Sequence, residues 1–142
     1  MRHSIRAITA LGGCLLSSGL FAYQVSPTTP KAARVRITQG PEVERADPQL
    51  AIIRWVTNNP GGSPEHYGVV RYGTNPRNLS QTAKSPIRLN PDHPSTVFRV
   101  RLVDLKPGTI YYYTVSSEES NGVSDGVESA VHRFTATGVA GK

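Results

Sequence analysis

The side chains of this chain best suited to chemistry are three scattered histidines and a set of arginines. His66, His93 and His132 lie far apart in sequence, as the ligands of a metal in a β-fold can. No acidic residue accompanies two of them at ligand spacing. His66 opens a strand-like run, His93 sits in the Pro-flanked stretch Asn90-Pro91-Asp92-His93-Pro94, and His132 alternates with Val131 and Arg133. These contexts favour surface or structural histidines. Nucleophilic catalysis finds no footing either, because there is no Gly-x-Ser-x-Gly elbow and the serines cluster in turns. No catalytic residue, metal site or cofactor is assigned.

The arginines are more promising. Arg34, Arg36, Arg54, Arg99 and Arg101 all sit between apolar residues in alternating segments. If the apolar partners face a core, all five guanidinium groups must face outward. Arg presents a planar fork suited to carboxylate, phosphate or sulfate, so such a face could dock on an acidic polymer, anionic headgroups or a partner protein. The competing reading is a solvated face whose charge discourages aggregation. Five like charges in proximity also repel unless something compensates them.

The elements that would hold these residues are short strands. Val35 and Ile37 alternate with Arg34 and Arg36 and end at Gly40-Pro41. Leu50–Thr57 places Ala51, Ile53 and Trp55 on one face and closes at Asn58-Asn59-Pro60-Gly61-Gly62. Glu65–Tyr72 ends in a turn at Gly73-Thr74-Asn75-Pro76. A weaker pair follows near Ser80–Lys84 and Ile87–Leu89. Thr96–Val103 points Phe98, Val100 and Leu102 inward. Ile110–Ser117 and Val131–Thr137 complete the set. Seven strands with no helical spacing between them indicate an all-β, seven-stranded antiparallel, immunoglobulin-like sandwich. The single tryptophan, Trp55, is the natural filler between the sheets. On the second sheet, Ile110, Tyr112 and Thr114 are expected outward beside Val69 and Val131, an apolar patch of the kind that can mark an interface. The segment Ser116–Ala130, with Glu118, Glu119, Asp125 and Glu128, reads as a polar loop. Together with Asn58–Pro64 it should occupy one end of the sandwich, where binding loops are often presented. Its composition permits a weak calcium or sugar contact, although no regular calcium-loop spacing is present.

Length and charge bound the alternatives. Arg2 and Arg6 precede an apolar stretch over residues 7–21, and Ala22 offers a small residue at a cleavage edge, so residues 1–22 read as a secretory signal peptide. The stretch is shorter than the roughly 18 residues of a membrane span. A second reading takes Leu11-Gly12-Gly13-Cys14 as a lipobox, with Cys14 lipidated and the protein anchored to the envelope. Residues 23–33 form a Pro/Thr-rich tether, residues 34–138 the domain, and residues 139–142 a tail. Beyond residue 22 there is no cysteine, which excludes disulfides, zinc–thiolate sites and a cysteine nucleophile. The formal charge of +6, from 16 basic and 10 acidic residues, becomes +4 once Arg2 and Arg6 are removed. That balance suits acidic partners and lacks the dense basic runs of nucleic-acid binders, so no nucleic acid is expected.

Several of these residues together resemble the fibronectin type III fold: Trp55 in the second strand, Tyr72 closing the third, and Leu105-Lys106-Pro107-Gly108-Thr109-Ile110-Tyr111 before the sixth. The last segment is the corner in which a buried tyrosine anchors its hydroxyl to upstream backbone. Within that fold the chain is similar to the amino-terminal β-domain of purple acid phosphatases. That likeness rests on Trp55-Val56-Thr57, Val70-Arg71-Tyr72-Gly73-Thr74, Tyr111-Tyr112-Tyr113-Thr114-Val115 and Arg133-Phe134-Thr135. It implies a structural core of Trp55, Tyr72, Leu105, Pro107, Tyr111, Tyr113 and Phe134. In those phosphatases the dinuclear metal site belongs to a following catalytic domain. Its signatures, Gly-Asp-x-Gly, Gly-Asn-His-Glu or Gly-Asn-His-Asp and a late His-x-His, do not occur here. The expectation is a secreted or periplasmic, monomeric, non-catalytic module that binds a protein or acidic polymer. An accessory domain packing on a separately encoded metallophosphatase, or a lipid-anchored spacer, are the alternatives.

Overall fold

A computed structural model describes residues 29–137. The signal peptide, the lipobox at Cys14, residues 23–28 of the tether and the whole of the tail at 139–142 lie outside them. Eight strands form in order: β1 (Ile37–Ala46), β2 (Ala51–Asn58), β3 (Glu65–Gly73), β4 (Gln81–Arg88), β5 (Ser95–Leu102), β6 (Ile110–Glu119), β7 (Ser124–Glu128) and β8 (His132–Thr135). They build two antiparallel sheets. One has the order β1-β2-β5; the other runs β4-β3-β6-β7, with β8 also paired to β6.

The period-two pleat explains the layering. Ala51, Ile53 and Trp55 of β2 and Phe98, Val100 and Leu102 of β5 are all buried against Val70, Tyr72, Tyr111, Tyr113 and Val115 of the second sheet. Trp55 stacks on its cross-strand neighbour Phe98 with ring centroids 5.3 Å apart. Burying such an aromatic pair removes several hundred Å² of apolar surface from water, the dominant favourable term in folding. Gly68 faces this pair, where a side chain would crowd it: a Cβ there would lie 3.0 Å from Val100 Cγ2 and 3.1 Å from both Phe98 Cδ1 and Trp55 Cη2.

The tyrosine corner forms as the sequence implies. Tyr111 is buried and its hydroxyl accepts from the Lys106 backbone N–H at 2.8 Å. Leu105 and Phe134 are buried beside it, whereas Pro107 is exposed at the turn, so its role is to shape the corner rather than to fill the core.

Three local features differ from the sequence reading. The weak pair around Pro86 is one continuous strand, β4, tolerated because β4 is a sheet edge and Pro86 needs no ladder donor there. The polar segment Ser116–Ala130 is mostly a hairpin: β6 continues to Glu119, and β7 returns through Gly126, whose φ of 78° creates an irregularity in the pairing. β7 and β8 are therefore two pieces of a last strand laid along β6. Finally, Val69 and Thr114 point outward as the pleat requires but are buried, so the expected apolar patch contracts to Ile110, Val131 and the half-buried Tyr112.

The chain enters and leaves at opposite ends. Ala32 N–H donates to Pro60 O at 2.9 Å and Gly62 N–H to Thr29 O at 2.8 Å, which lays residues 29–32 along the β2–β3 loop. At the other end Thr137 Oγ1 donates to Ala46 O at 2.8 Å, beside the β1–β2 hairpin.

Candidate functional site

Three surfaces and one buried cluster carry the chemistry-bearing residues. The arginine face comes first. β1, β2 and β5 are neighbours, and the cross-strand register aligns Glu42, Arg54 and Arg99 in one row. Arg54 Nη1 donates to Glu42 Oε1 at 3.2 Å, and Arg99 Nε donates to both Glu44 oxygens at 2.9 and 3.1 Å. The hydrogen bond from Arg99 holds the Glu44 carboxyl below its usual range. The like-charged pair Arg54–Arg99, which face each other directly, is thus compensated by β1. Arg101 lies opposite Ile52, whereas Arg34 and Arg36 lie beside Asn58, whose side chain bonds the Arg34 carbonyl and the Arg36 N–H. These two ends make no ion pair among the described residues and are about 20 Å apart at the strand rise of about 3.3 Å per residue. The five arginines share a face, then, but its centre is a mixed-charge ladder rather than a cationic cradle. Glu42 and Glu44 were legible as strand residues only once β1 was known to extend past Pro41.

The second surface is a groove of about 550 Å³ on the outer face of the five-stranded sheet. Its floor holds Val69 and Ser116, and its walls hold Arg71, Thr82, Lys84 and Glu128. Lys84 pairs with Glu118 across β3, while Arg71 makes no ion pair among the described residues. Short side chains in the middle and long charged ones at the edges give a trough lined with both charge signs and hydroxyls.

The third is a more apolar hollow of about 490 Å³, lined by Pro48, Leu50 and Pro107 with Asp47 and Gln49. It lies at the end where Thr137 meets Ala46.

The buried cluster was not legible in the sequence. His66, Ser117 and Asp125 come from β3, β6 and β7, and inward-facing alternation brings them together at the loop end of the sandwich. Ser117 Oγ donates to Asp125 Oδ2 at 2.7 Å; the same oxygen lies 2.9 Å from His66 Nδ1; and His66 Nε2 lies 3.0 Å from Gly61 O. Asp125 Oδ1 is buried with no hydrogen-bond partner among the described residues. The residue types are those of a nucleophilic triad, but the wiring is not. Ser117 bonds the carboxylate rather than the imidazole, and His66 spends its second nitrogen on a backbone carbonyl. Both side chains of the His66–Asp125 pair are fully buried. Burial alone would push His66 down. The Asp125 hydrogen bond and charge, the Gly61 carbonyl and the Glu119 charge more than offset it, and the imidazole is raised above its ordinary value. Beside it, Glu119 Oε1 accepts from Ser63 N–H at 3.1 Å, and Lys31 Nζ lies 3.7 Å from Glu119 Oε2.

The other candidates are placed apart. His93 is exposed and bonds locally to Ser95. His132 is exposed with its ring 5.8 Å from that of Tyr113. Burial, with a smaller effect from the Glu42 charge, pushes the Tyr113 hydroxyl up to about 12, so it stays protonated. Among the described residues no three His, Cys, Asp or Glu side chains gather as a metal-binding group.

Comparison with known proteins agrees with the fold. No curated protein matches the sequence. Among solved structures, a longer form of the sensor domain of the anti-sigma factor RsgI4 from Pseudobacteroides cellulosolvens superposes with a TM-score of 0.50 at 16% identity, covering 77% of this chain and 93% of that one. A shorter form of the same domain gives a TM-score of 0.49 at 19% identity, covering 81% and 99%. At 16% identity the likeness to the longer form speaks for a shared fold. The family model for the purple acid phosphatase N-terminal domain matches residues 26–136, most of the chain, and no phosphatase catalytic domain lies within these 142 residues. This chain belongs to the purple acid phosphatase N-terminal domain family.

Proposed function

We propose that this chain is an exported, non-catalytic docking module that presents the outer face of its five-stranded sheet to a protein partner. One observation carries the reading. A histidine–aspartate–serine cluster is sealed inside the fold, its imidazole and hydroxyl turned to internal partners, while the polar groove around Arg71 stays open. Side chains that could do chemistry are used for structure, and side chains that could recognise a surface are left available. Export is supported by the sequence of residues 1–22. Pull-down from the native envelope or secretome tests the docking reading. The protein should capture a partner that the variant Arg71→Ser/Lys84→Ser does not. Equal capture by both would dismiss the groove, and phosphomonoester turnover with added iron, zinc or manganese that survives rigorous purification would overturn the non-catalytic reading. Intact mass distinguishes cleavage after Ala22 from lipidation at Cys14.

A second reading, an accessory domain on a separately encoded metallophosphatase, is favoured by the hollow of Pro48, Leu50 and Pro107. It is apolar and lies where the described chain leaves the sandwich, the end from which a following domain continues in proteins that carry this domain at their N-terminus. Leu50→Glu should abolish co-purification with such a catalytic domain if this reading holds.

A further inference from the structure

The buried cluster raises a question that docking does not answer: what the proton on His66 is for. Two acceptors face the ring. Gly61 O has no hydrogen to give, so Nε2 must donate to it at 3.0 Å. Asp125 Oδ2 already accepts from Ser117 Oγ–H and lies 2.9 Å from Nδ1, so an ionised Asp125 requires a hydrogen there as well. The doubly protonated ring satisfies both contacts. The neutral ring keeps one hydrogen, the carboxylate is the stronger claimant, and the Nε2 lone pair is then left facing the Gly61 carbonyl lone pairs. Asp125 Oδ1, buried with no hydrogen-bond partner among the described residues, adds to the cost of a carboxylate without a cation beside it.

Gly61 is also the point where the N-terminal segment docks. Flanking peptides of the same loop bond Ala32 and Thr29, Gly61 N–H donates to Asn59 Oδ1 at 3.0 Å, and Ser63 is held by Glu119. The charged groups facing the cluster are Asp125 from β7, Glu119 from β6 and Lys31 from the N-terminal segment itself.

We propose that protonation of His66 against Asp125 latches the loop at residues 59–63, and through it the segment at residues 29–32, onto the end of the sandwich, and that loss of the proton releases both. The latch is independent of any partner. It couples the bulk pH to whether the segment entering the domain is fixed or free at the loop end.

Amide hydrogen exchange on the protein, corrected for intrinsic rates, tests it. The reporters are the Ala32 and Gly62 amides, with the amides of β3 as internal standard and the His66 ring nitrogens followed by ¹⁵N NMR. A group raised in the folded state stabilises fully below its ordinary value, and that contribution disappears as pH climbs to the native value. Protection of Ala32 and Gly62 should therefore be flat below about pH 6.5, the ordinary histidine value, fall by about tenfold per pH unit above it, and level off once the ring nitrogens report a neutral ring. The β3 amides, which open only with the whole sandwich, should stay far better protected than Ala32 and Gly62 at every pH. Asp125→Asn should remove the step at Ala32 and Gly62, and the wild-type titration decides the matter even if that variant does not fold. Protection at Ala32 and Gly62 that is independent of pH while His66 titrates, or a ring that holds a single proton throughout, would overturn the latch.

Discussion

The Tyr111 hydroxyl accepts a 2.8 Å hydrogen bond from the Lys106 backbone N–H, five residues upstream, and its ring stacks on Phe134 at 5.7 Å. One side chain thereby ties the turn before β6 to the last strand. Tyr111→Phe keeps the ring and removes the acceptor. It should cost about 1 kcal/mol in denaturant unfolding, the net worth of one such hydrogen bond. Tyr111→Ala, which also empties the core position, should cost about 4 kcal/mol.

Gly68 is the space reserved for the Trp55–Phe98 stack. Gly68→Ala places a methyl at 3.0–3.1 Å from three buried side chains, which must give by a few tenths of an ångström to admit it. The expected cost is about 1–3 kcal/mol from overpacking, measured as a lowered denaturant midpoint with an unchanged slope. A neutral result would show that the indole shifts freely.

Gly61 is the tightest backbone contact of the loop end. Its φ is 62°, and a Cβ would lie 2.0 Å from Pro30 O. Gly61→Ala should displace residues 29–32 while leaving the sandwich folded. Trypsin should then cleave after Lys31 at least tenfold faster than in the wild type, with the unfolding midpoint shifted only slightly. Unchanged cleavage would mean that the segment is held by other contacts.

The ladder at Glu42, Arg54, Arg99 and Glu44 predicts the behaviour of the arginine face on an anionic matrix. Glu42→Gln/Glu44→Gln frees both guanidinium groups and should raise the salt needed for elution, whereas Arg54→Ser/Arg99→Ser leaves both carboxylates bare and should lower it by a similar amount. A loss in the arginine variant much larger than the gain in the glutamine variant would restore the face as a binding surface. Both effects should fade as ionic strength rises.

The alternation of β2 and β5 made the core readable directly: Ile53, Trp55, Phe98 and Val100 carry a period of two without interruption, and all are buried as that period requires. The Tyr111 corner was readable because a local motif fixes it. What escaped is what depends on distant pairing. His66 and Asp125 are 59 residues apart, and only the register of β3, β6 and β7 brings them together. β7 itself is Ser-Asp-Gly-Val-Glu, a composition that argues for a turn, and it forms a strand because β6 offers it an open edge. Val69 and Thr114 lie on the outer face by register, yet both are buried, which a one-dimensional pattern does not contain. The compensation of the arginines likewise waited on β1, whose three register shifts hide its length from any simple alternation.

Residues 29–32 join the domain at the β2–β3 loop, and Thr137 leaves it at the β1–β2 hairpin, so the two points are separated by the length of β2, about 25 Å at the usual rise per residue. Tension applied between them runs parallel to the strands and loads many ladder bonds simultaneously in shear instead of opening them one by one. Set in series along a stretched chain, such a unit would resist extension far better than its modest size suggests.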